Sequence, residues 1–451
     1  MPLMCAACAE PEVPVGGGAA GEQALVVDIP PVRGSALDLL FVIDNTENMT
    51  SRQVALRASF ERLLAHLAYV PGGMPDLHVG IVSTDLGTGS PTWSVPGCSV
   101  DGDAGTLRSL PLDPGCAAPA DAYLSDARDG DGRLTNYAQA DLASAFQCLS
   151  VLGAGGCAYQ QPLEAMRRAL DGSLAANDGF VRPEATLGVV ILTDQDDCSV
   201  SDPEFFDPDL DSDGVLSKFR CFERGVYCGG DDVRVEGKFD DCVANEQSDY
   251  LHGVHEYARF LDQAKLDPDQ VVVAGLIGTS SLVEVEVTVD DRPQVVPACT
   301  DSTGTPTYPA IRLQDFLHQA RQDSEVASLC SDDGHPLDAL EATARRIRKA
   351  LGTACLDGDL VDVDADAAGL QFDCTIWDKY PDGELVELPE CSQPYDPADS
   401  EVVPCYAIKT GPEACGDFRP HQLALQVWRG AWDAGQPDGV HTVGQCLVNP
   451  P

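Results

Sequence analysis

Three oxygen-bearing side chains alternate along a short loop of this sequence. Asp44, Thr46 and Asn48 directly follow an unbroken apolar run at 39–43. An apolar run without helical spacing is typical of a strand buried on both faces, as in a parallel sheet. Carboxylate, hydroxyl and amide oxygens are ligands for a hard cation such as Mg²⁺. The loop is therefore a candidate metal site.

A second buried strand ends in the same manner further along the chain. The apolar run at 187–193 closes on Asp194. In open α/β sheets, ligands bind beyond the carboxyl ends of the strands. We therefore expect Asp194 to lie at the same sheet edge as Asp44.

Amphipathic helices alternate with these strands, and this alternation defines the predicted fold. Strands are predicted at 38–43, 77–83, 187–193, 270–277 and, as an edge, 326–330, with helices near 50–67, 142–149, 161–170, 250–266, 312–321 and 337–351. Strand–helix–strand repetition predicts an α/β fold with a doubly wound, mostly parallel sheet.

Composition shifts along the chain suggest three parts. Residues 1–34 are rich in Pro, Gly and Ala and are predicted to be a flexible tether. The α/β domain spans 35–352 and carries two Cys-rich insertions, near 84–138 and 198–248. Residues 353–451 hold short alternating runs and turn signals, which predict a small β-rich, disulfide-stapled module.

The net charge of the chain limits the classes of partner that it can bind. It has 451 residues, with 73 acidic and 28 basic side chains and a formal net charge of −45. Nucleic acid and anionic membrane surfaces attract cationic patches, so we expect no nucleic-acid partner. No apolar run approaches the ~20 residues that a membrane span requires.

Eighteen cysteines point to disulfides and an oxidising compartment. Zinc is the minor alternative, because C-x-x-C pairs are missing from the body of the chain. Proximity along the chain suggests four local pairs: Cys98–Cys116, Cys148–Cys157, Cys221–Cys228 and Cys405–Cys415. We expect an extracytoplasmic protein, either secreted or held at the cell envelope.

Cys8 is a candidate lipid attachment point. Ala6 and Ala7 precede it and a Pro- and Gly-rich linker follows, similar to the end of a bacterial lipoprotein signal. A lipid anchor at Cys8, in an outer membrane or elsewhere in the envelope, is one expectation. The alternative is a tail with two incidental thiols, Cys5 and Cys8.

Together these residues resemble the von Willebrand factor type A (VWA) domain over roughly 36–352. Family members carry a metal-ion-dependent adhesion site (MIDAS), written Asp-x-Ser-x-Ser, then a Thr in a later loop and an Asp that closes a strand. The resemblance assigns these roles to Asp44, Thr46, Asn48, Gln160 and Asp194. The Cys-rich segments around these motifs are also similar to VWA lipoproteins of bacteria such as the myxobacteria.

The resemblance implies a bound Mg²⁺, or Mn²⁺ or Ca²⁺, with an open position for a partner's carboxylate. Asn48 and Gln160 replace hydroxyls of the family pattern with amides, so the site is degenerate. The alternative is a loop retained only for helix capping and solvation. We expect a non-enzymatic adhesion protein that recognises a protein or cell-surface ligand. A structural envelope protein with an inert site and a secreted hydrolase are the competing functions, and the hydrolase lacks a recognisable nucleophile–base pair.

Overall fold

The computed structural model describes most of the chain. The described residues are 23–29, 35–70, 73–130, 132–210, 216–230, 232–301, 304–321, 324–330, 336–356, 358–364, 371–391, 403–410, 423–429 and 439–449. They divide into two compact units. The first unit comprises 35–68 and 74–347, and the second contains residues 23–29 together with part of 69–73 and the chain from 348 onward.

Strands and helices are numbered in chain order. The strands are β1 (Gln23–Ile29), β2 (Ala36–Ile43), β3 (Asp76–Ser83), β4 (Leu124–Asp129), β5 (Gly132–Thr135), β6 (Thr186–Leu192), β7 (Val226–Cys228), β8 (Gly237–Phe239), β9 (Cys242–Ala244), β10 (Val271–Ile277), β11 (Val283–Val287), β12 (Pro293–Val295), β13 (Cys299–Thr300), β14 (Pro306–Thr307), β15 (Glu325–Ser328), β16 (Thr353–Leu356), β17 (Cys374–Lys379), β18 (Leu385–Glu387), β19 (Cys405–Thr410), β20 (Leu423–Trp428) and β21 (His441–Val448). The helices are α1 (Thr50–Leu67), α2 (Leu142–Leu149), α3 (Pro162–Leu170), α4 (Phe219–Gly225), α5 (Val254–Asp262), α6 (Ile311–Ala320) and α7 (Pro336–Ala350).

A seven-stranded sheet forms the centre of the first unit. Its strand order is β15-β10-β6-β2-β3-β4-β5. The five strands from β15 to β3 are parallel, while β4 and β5 extend the edge antiparallel. The chain moves outward from β2 to β3 on one side and from β6 to β10 on the other. The predicted doubly wound, mostly parallel sheet is confirmed.

Helices cover both faces of this sheet because successive residues of a strand point to opposite sides. On one face Leu40 and Val42 pack in a core with side chains of α3, α5 and α6. On the other face the ring of Phe41 lies 5.7 Å from that of Phe60 in α1 and 4.8 Å from that of Phe146 in α2. The continuous apolar runs of the sequence follow from this two-sided burial.

The insertions contribute more regular structure than the sequence suggested. The first insertion supplies β4 and β5, so its final part belongs to the main sheet. The second insertion contains α4 and the strands β7, β8 and β9. With β11 and β12 it forms a small separate core around Phe219, Phe222 and Val285.

The second unit is a pair of antiparallel sheets, which confirms a β-rich module. One sheet has the order β1-β21-β17-β18 and the other β16-β20-β19. Apolar side chains from both sheets share one core. The assignment of all of residues 1–34 to a tether was wrong for β1, which pairs along its length with β21. Its alternating Leu25, Val27 and Ile29 supply the apolar face that a sheet needs.

Disulfides are present as predicted, but the four proposed pairings were wrong. The described bonds are Cys98–Cys157, Cys116–Cys148, Cys198–Cys221, Cys228–Cys242, Cys299–Cys330, Cys374–Cys446 and Cys391–Cys405. Cys355 is also disulfide-bonded, whereas Cys415 and Cys8 lie outside the described residues. Neighbours along the chain failed as a guide because folding brings together cysteines of different loops. None of the described helices has the length and apolar character that a membrane crossing needs.

Candidate metal centre

Asp44 and Asp194 leave the ends of two adjacent strands. In the parallel pair of β2 and β6, Ile43 lies opposite Leu192. The backbone N–H of Asp44 then donates to the carbonyl of Leu192 at 2.9 Å. These strands lie where the strand order reverses, the position at which open α/β sheets bind ligands. The sheet thus brings together two carboxylates that are 150 residues apart in the sequence (194 − 44).

Both oxygens of the buried Asp44 carboxylate accept hydrogen bonds. The backbone N–H of Thr46 donates to Oδ1 at 2.8 Å, and the hydroxyl of Thr193 donates to Oδ2 at 2.8 Å. The first bond folds the loop back on itself, and the second ties it to the end of β6. Asp44 is therefore fixed in orientation by neutral donors.

The hydroxyl of Thr46 faces Gln160 rather than capping a helix. Thr46 precedes a one-turn helix at Glu47–Met49, yet its side chain makes no capping hydrogen bond there. The amide nitrogen of Gln160 lies 3.4 Å from Thr46 Oγ1. The side chain of Thr46 therefore does not cap this turn.

Gln160 is placed by the loop that carries it. Its carbonyl accepts from the N–H of Cys198 at 2.8 Å, which joins the loop to the segment just after Asp194. The disulfide between Cys98 and Cys157 ties the same loop to the first insertion. The site loops are therefore held to one another by backbone bonds and a covalent bond.

Asn48 lies at the rim of the site. Its side chain is exposed, whereas Gln160 is 2% exposed. Both line a cavity of about 540 Å³, together with Gln195, Lys218 and Tyr308. Among the predicted ligands, the structure links Asp44, Thr46 and Gln160 by direct contacts and places Asn48 beside the adjoining cavity.

Asp194 contacts a cation that the sequence did not indicate, the guanidinium of Arg52. Arg52 Nη1 lies 2.9 Å from Asp194 Oδ2, with both side chains buried. The other oxygen, Asp194 Oδ1, is buried and has no hydrogen-bond partner among the described residues. The backbone of Asp194 is held as well, because the N–H of Tyr308 donates to the Asp194 carbonyl at 2.8 Å.

Burial shifts the pKa of both carboxyls upward. Loss of solvent raises the pKa of Asp44, although Thr46 and Thr193 stabilise its charge. Burial and then the charge of Asp44 raise the pKa of Asp194 to about 7, against the lowering influence of Arg52. The two buried carboxyls therefore give up their charge more readily than exposed ones, and a bound cation would favour their ionised forms.

These features fit an oxygen-ligated cation. Asp44, Thr46 and Asp194 offer hard oxygen donors, and the unpartnered Asp194 Oδ1 is an orphaned buried acceptor of the kind a cation or water satisfies. In the part of the chain that the structure describes, no group of three or more His, Cys, Asp or Glu side chains could hold a metal. Hydroxyl and amide oxygens would therefore have to complete the ligand set.

Sequence reasoning missed Arg52 and Thr193 as members of the site. Thr193 could have been found, since it precedes Asp194 at a strand end that was already of interest. Arg52 lies in the first turn of α1, whose side chains tilt toward the helix N-terminus and hence toward the loop. Its partner could not be inferred from that position alone.

No family model matches the sequence, and the comparison with curated proteins gave no match. Solved structures with a related chain path include a von Willebrand factor type A protein from Catenulispora acidiphila, with 11% identity, 96% of this chain and 63% of that chain covered, and a TM-score of 0.27. The pilus adhesin SpaC from Lactobacillus rhamnosus GG has 13% identity, coverages of 94% and 41%, and a TM-score of 0.33. Proximal thread matrix protein 1 from the mussel byssus, in a structure with a zinc-occupied MIDAS motif, has 8% identity, coverages of 74% and 52%, and a TM-score of 0.30.

This chain spans less than two thirds of the length of each of these proteins. At such TM-scores the matches add nothing on function. The strand order and the position of Asp44 and Asp194 at adjacent strand ends carry the fold assignment. The first unit is a doubly wound α/β domain, the fold that the resemblance to VWA domains implied.

Proposed function

We propose that this protein is an extracytoplasmic binding protein whose VWA-like domain recognises a protein or surface ligand at the carboxyl edge of its sheet. The observation that carries the proposal is the pair of buried carboxylates, Asp44 and Asp194, on neighbouring strand ends, with one unpartnered oxygen. A bound Mg²⁺ or Mn²⁺ would supply an open coordination position for an acidic group of the ligand.

The chain's own residues have separate tasks in this proposal. Asp44 and Asp194 supply negative charge, and Thr46 supplies a hydroxyl oxygen. Asn48 and Gln160 line the adjoining cavity of about 540 Å³, a size within the range of ligand pockets. The cavity offers room for the groups that flank the ligand's acidic side chain.

We infer the compartment from the cysteines. Disulfides persist in oxidising environments and are rare in the cytosol. Those in the described residues include Cys98–Cys157 and Cys198–Cys221, which flank the site. We propose a secreted or envelope-attached protein, with Cys8 as the attachment point in the second case.

Titration calorimetry with Mn²⁺ or Mg²⁺ alone tests the cation site. We expect binding to the wild-type protein and loss of binding in Asp44→Asn, which keeps the size of the side chain but removes its charge. Asp101→Asn is the matched control, because Asp101 is an exposed carboxylate of the first insertion. Absence of binding to the folded wild-type protein would refute the cation-dependent function.

Ligand recognition requires a second measurement. An array of synthetic peptides, each with one Asp or Glu, can be probed with the protein in Mn²⁺ and in EDTA. Binding that disappears with EDTA and in Asp44→Asn supports the proposal. Peptide binding that persists in EDTA and in Asp44→Asn favours a structural envelope protein with an inert site.

A further inference from the structure

We propose that Arg52 is a built-in cation of this site, which holds Asp194 when no divalent cation is bound and weakens the binding of one. The inference rests on the proposed function, because it concerns the same carboxylates. It assigns to this chain a residue that sets the affinity of the site for metal.

The contact between Arg52 and Asp194 is direct and buried. Nη1 lies 2.9 Å from Asp194 Oδ2, and the two side chains are 6% and 0% exposed. A charge-assisted hydrogen bond of this length is among the stronger ones in proteins. In a buried setting it is screened little by solvent or salt. Arg52 therefore neutralises Asp194 in the absence of metal.

Arg52 is also anchored from its other side. Its Nη2 donates to Thr307 Oγ1 at 2.5 Å and to the carbonyl of Pro306 at 3.1 Å. These acceptors belong to β14, whereas Arg52 belongs to α1. The guanidinium is thus held between two elements, and an incoming cation cannot simply push it into solvent.

The charge count gives the consequence for a divalent cation. Arg52 is the cation in direct contact with the carboxylate pair, and Lys218 acts on both carboxylates as well. A divalent cation would therefore enter a site whose negative charge is already partly balanced, with a fixed positive group beside it. The repulsion lowers its affinity, because charges a few ångströms apart interact strongly away from water.

The unpartnered oxygen shows why the site can still take a cation. Asp194 Oδ1 has no hydrogen-bond partner among the described residues, and Arg52 contacts only Oδ2. One carboxylate oxygen is therefore held by the guanidinium while the other is available. A divalent cation bound at Asp194 would share this carboxylate with the guanidinium of Arg52, and the two positive charges would repel each other.

Calorimetric titration of Arg52→Gln with Mn²⁺ tests the inference. Removing one positive charge at this range should tighten Mn²⁺ binding by about tenfold or more relative to wild type. Arg259→Gln is the charge-matched control, since Arg259 is an exposed residue of α5. The control should bind Mn²⁺ as the wild type does.

Thermal unfolding provides a second readout. Without metal, Arg52→Gln should unfold at a lower temperature than wild type, because it leaves a buried carboxylate without its partner. Added Mn²⁺ should raise the unfolding temperature of Arg52→Gln more than it raises that of the wild-type protein. Equal midpoint gains in the two proteins would contradict the inference.

Thr307→Val covers the case in which Arg52→Gln does not fold. It removes the hydroxyl that anchors the guanidinium and keeps every charge, so it should tighten Mn²⁺ binding in the same direction by a smaller factor. If the folded variants bind Mn²⁺ no more tightly than a wild type that does bind it, the inference fails and the proposed function stands. If wild type does not bind and Arg52→Gln does, the inference stands and the proposed cation-dependent function fails.

Discussion

Asp44 and Asp194 leave adjacent strands but have different surroundings. Asp44 accepts hydrogen bonds from neutral groups at both oxygens. Asp194 has a guanidinium at one oxygen, while its other oxygen has no partner among the described residues. Asp44 is therefore the more rigidly oriented carboxylate, and Asp194 is the one that keeps an oxygen available to a group that enters the site.

Cation binding should weaken in acid because protons compete for Asp194. Burial, followed by the charge of Asp44, raises the pKa of Asp194 to about 7 in the metal-free protein. Only ionised carboxylates bind a cation, so affinity should fall as the pH drops below ~7, by about tenfold or more per unit, because the pKa of Asp44 is also raised by burial.

Titration calorimetry with Mn²⁺ at several pH values measures this dependence. Buffers of different ionisation enthalpy would also report the protons that are released on binding. Asp101→Asn should follow the wild-type profile, because that carboxylate is exposed and outside the site. An affinity that stays the same on both sides of neutrality would contradict the assignment of Asp194.

At the scale of elements, the site depends on a segment that is packed against two strand ends. The N–H of Tyr308 donates to the Asp194 carbonyl at 2.8 Å, and the N–H of Ala310 donates to the carbonyl of Gly278 at 2.9 Å. Gly278 directly follows β10. The segment 308–310 therefore joins the ends of β6 and β10 and leads into α6.

Gly278→Ala should destabilise this junction. A Cβ at Gly278 would lie 2.0 Å from the backbone oxygen of Tyr308. Backbone atoms of a packed segment cannot move aside cheaply, so we expect a loss of about 1–3 kcal/mol in the free energy of unfolding. The displacement of Tyr308 should also weaken Mn²⁺ binding at the neighbouring Asp194.

Gly155→Ala is the matched control for this substitution. Gly155 lies in the loop that leads to Gln160, but a Cβ there would meet no atom within 4 Å. Denaturant unfolding of both variants compares the two positions directly. A Gly278→Ala protein as stable as Gly155→Ala would show that the junction tolerates an added methyl group.

At the scale of the whole molecule, segments from both ends of the described chain form one sheet. In the second unit β1 pairs with β21 from Gln23 opposite Val448 to Ile29 opposite Thr442. Disulfides then join Cys374 to Cys446 and Cys391 to Cys405 within this unit. The unit combines a small apolar core with covalent links, the usual solution for a small β-rich module.

Ile29→Ala should destabilise the second unit. Ile29 is fully buried in the core shared by the two sheets. Truncating a buried isoleucine to alanine costs about 2–5 kcal/mol, depending on how far the cavity collapses. Denaturant unfolding of the full-length protein would measure the loss.

Val26→Ala is the control within the same strand. Val26 is 61% exposed, so its truncation should change stability little. Equal destabilisation by the two substitutions would mean that β1 does not bury the face on which Ile29 lies.

The sequence by itself determined the main elements of the first unit and the carboxylates of its site. A strand buried on both faces needs an apolar residue at nearly every position, so the apolar runs of the sequence predict β2, β6 and β10. The parallel arrangement follows from the helices between them. It also places Asp44 and Asp194 at one edge, because parallel strands all end on the same side.

Only the tertiary structure decided which distant groups meet. The disulfide partners, the pairing of β1 with β21 and the contact of Arg52 with Asp194 each join residues from separate segments. Local sequence patterns indicate that a cysteine, an apolar strand or a buried arginine needs a partner, but they do not specify which residue or strand that partner is. That choice depends on how the loops and sheets pack, and it determines how much negative charge the site keeps for a cation.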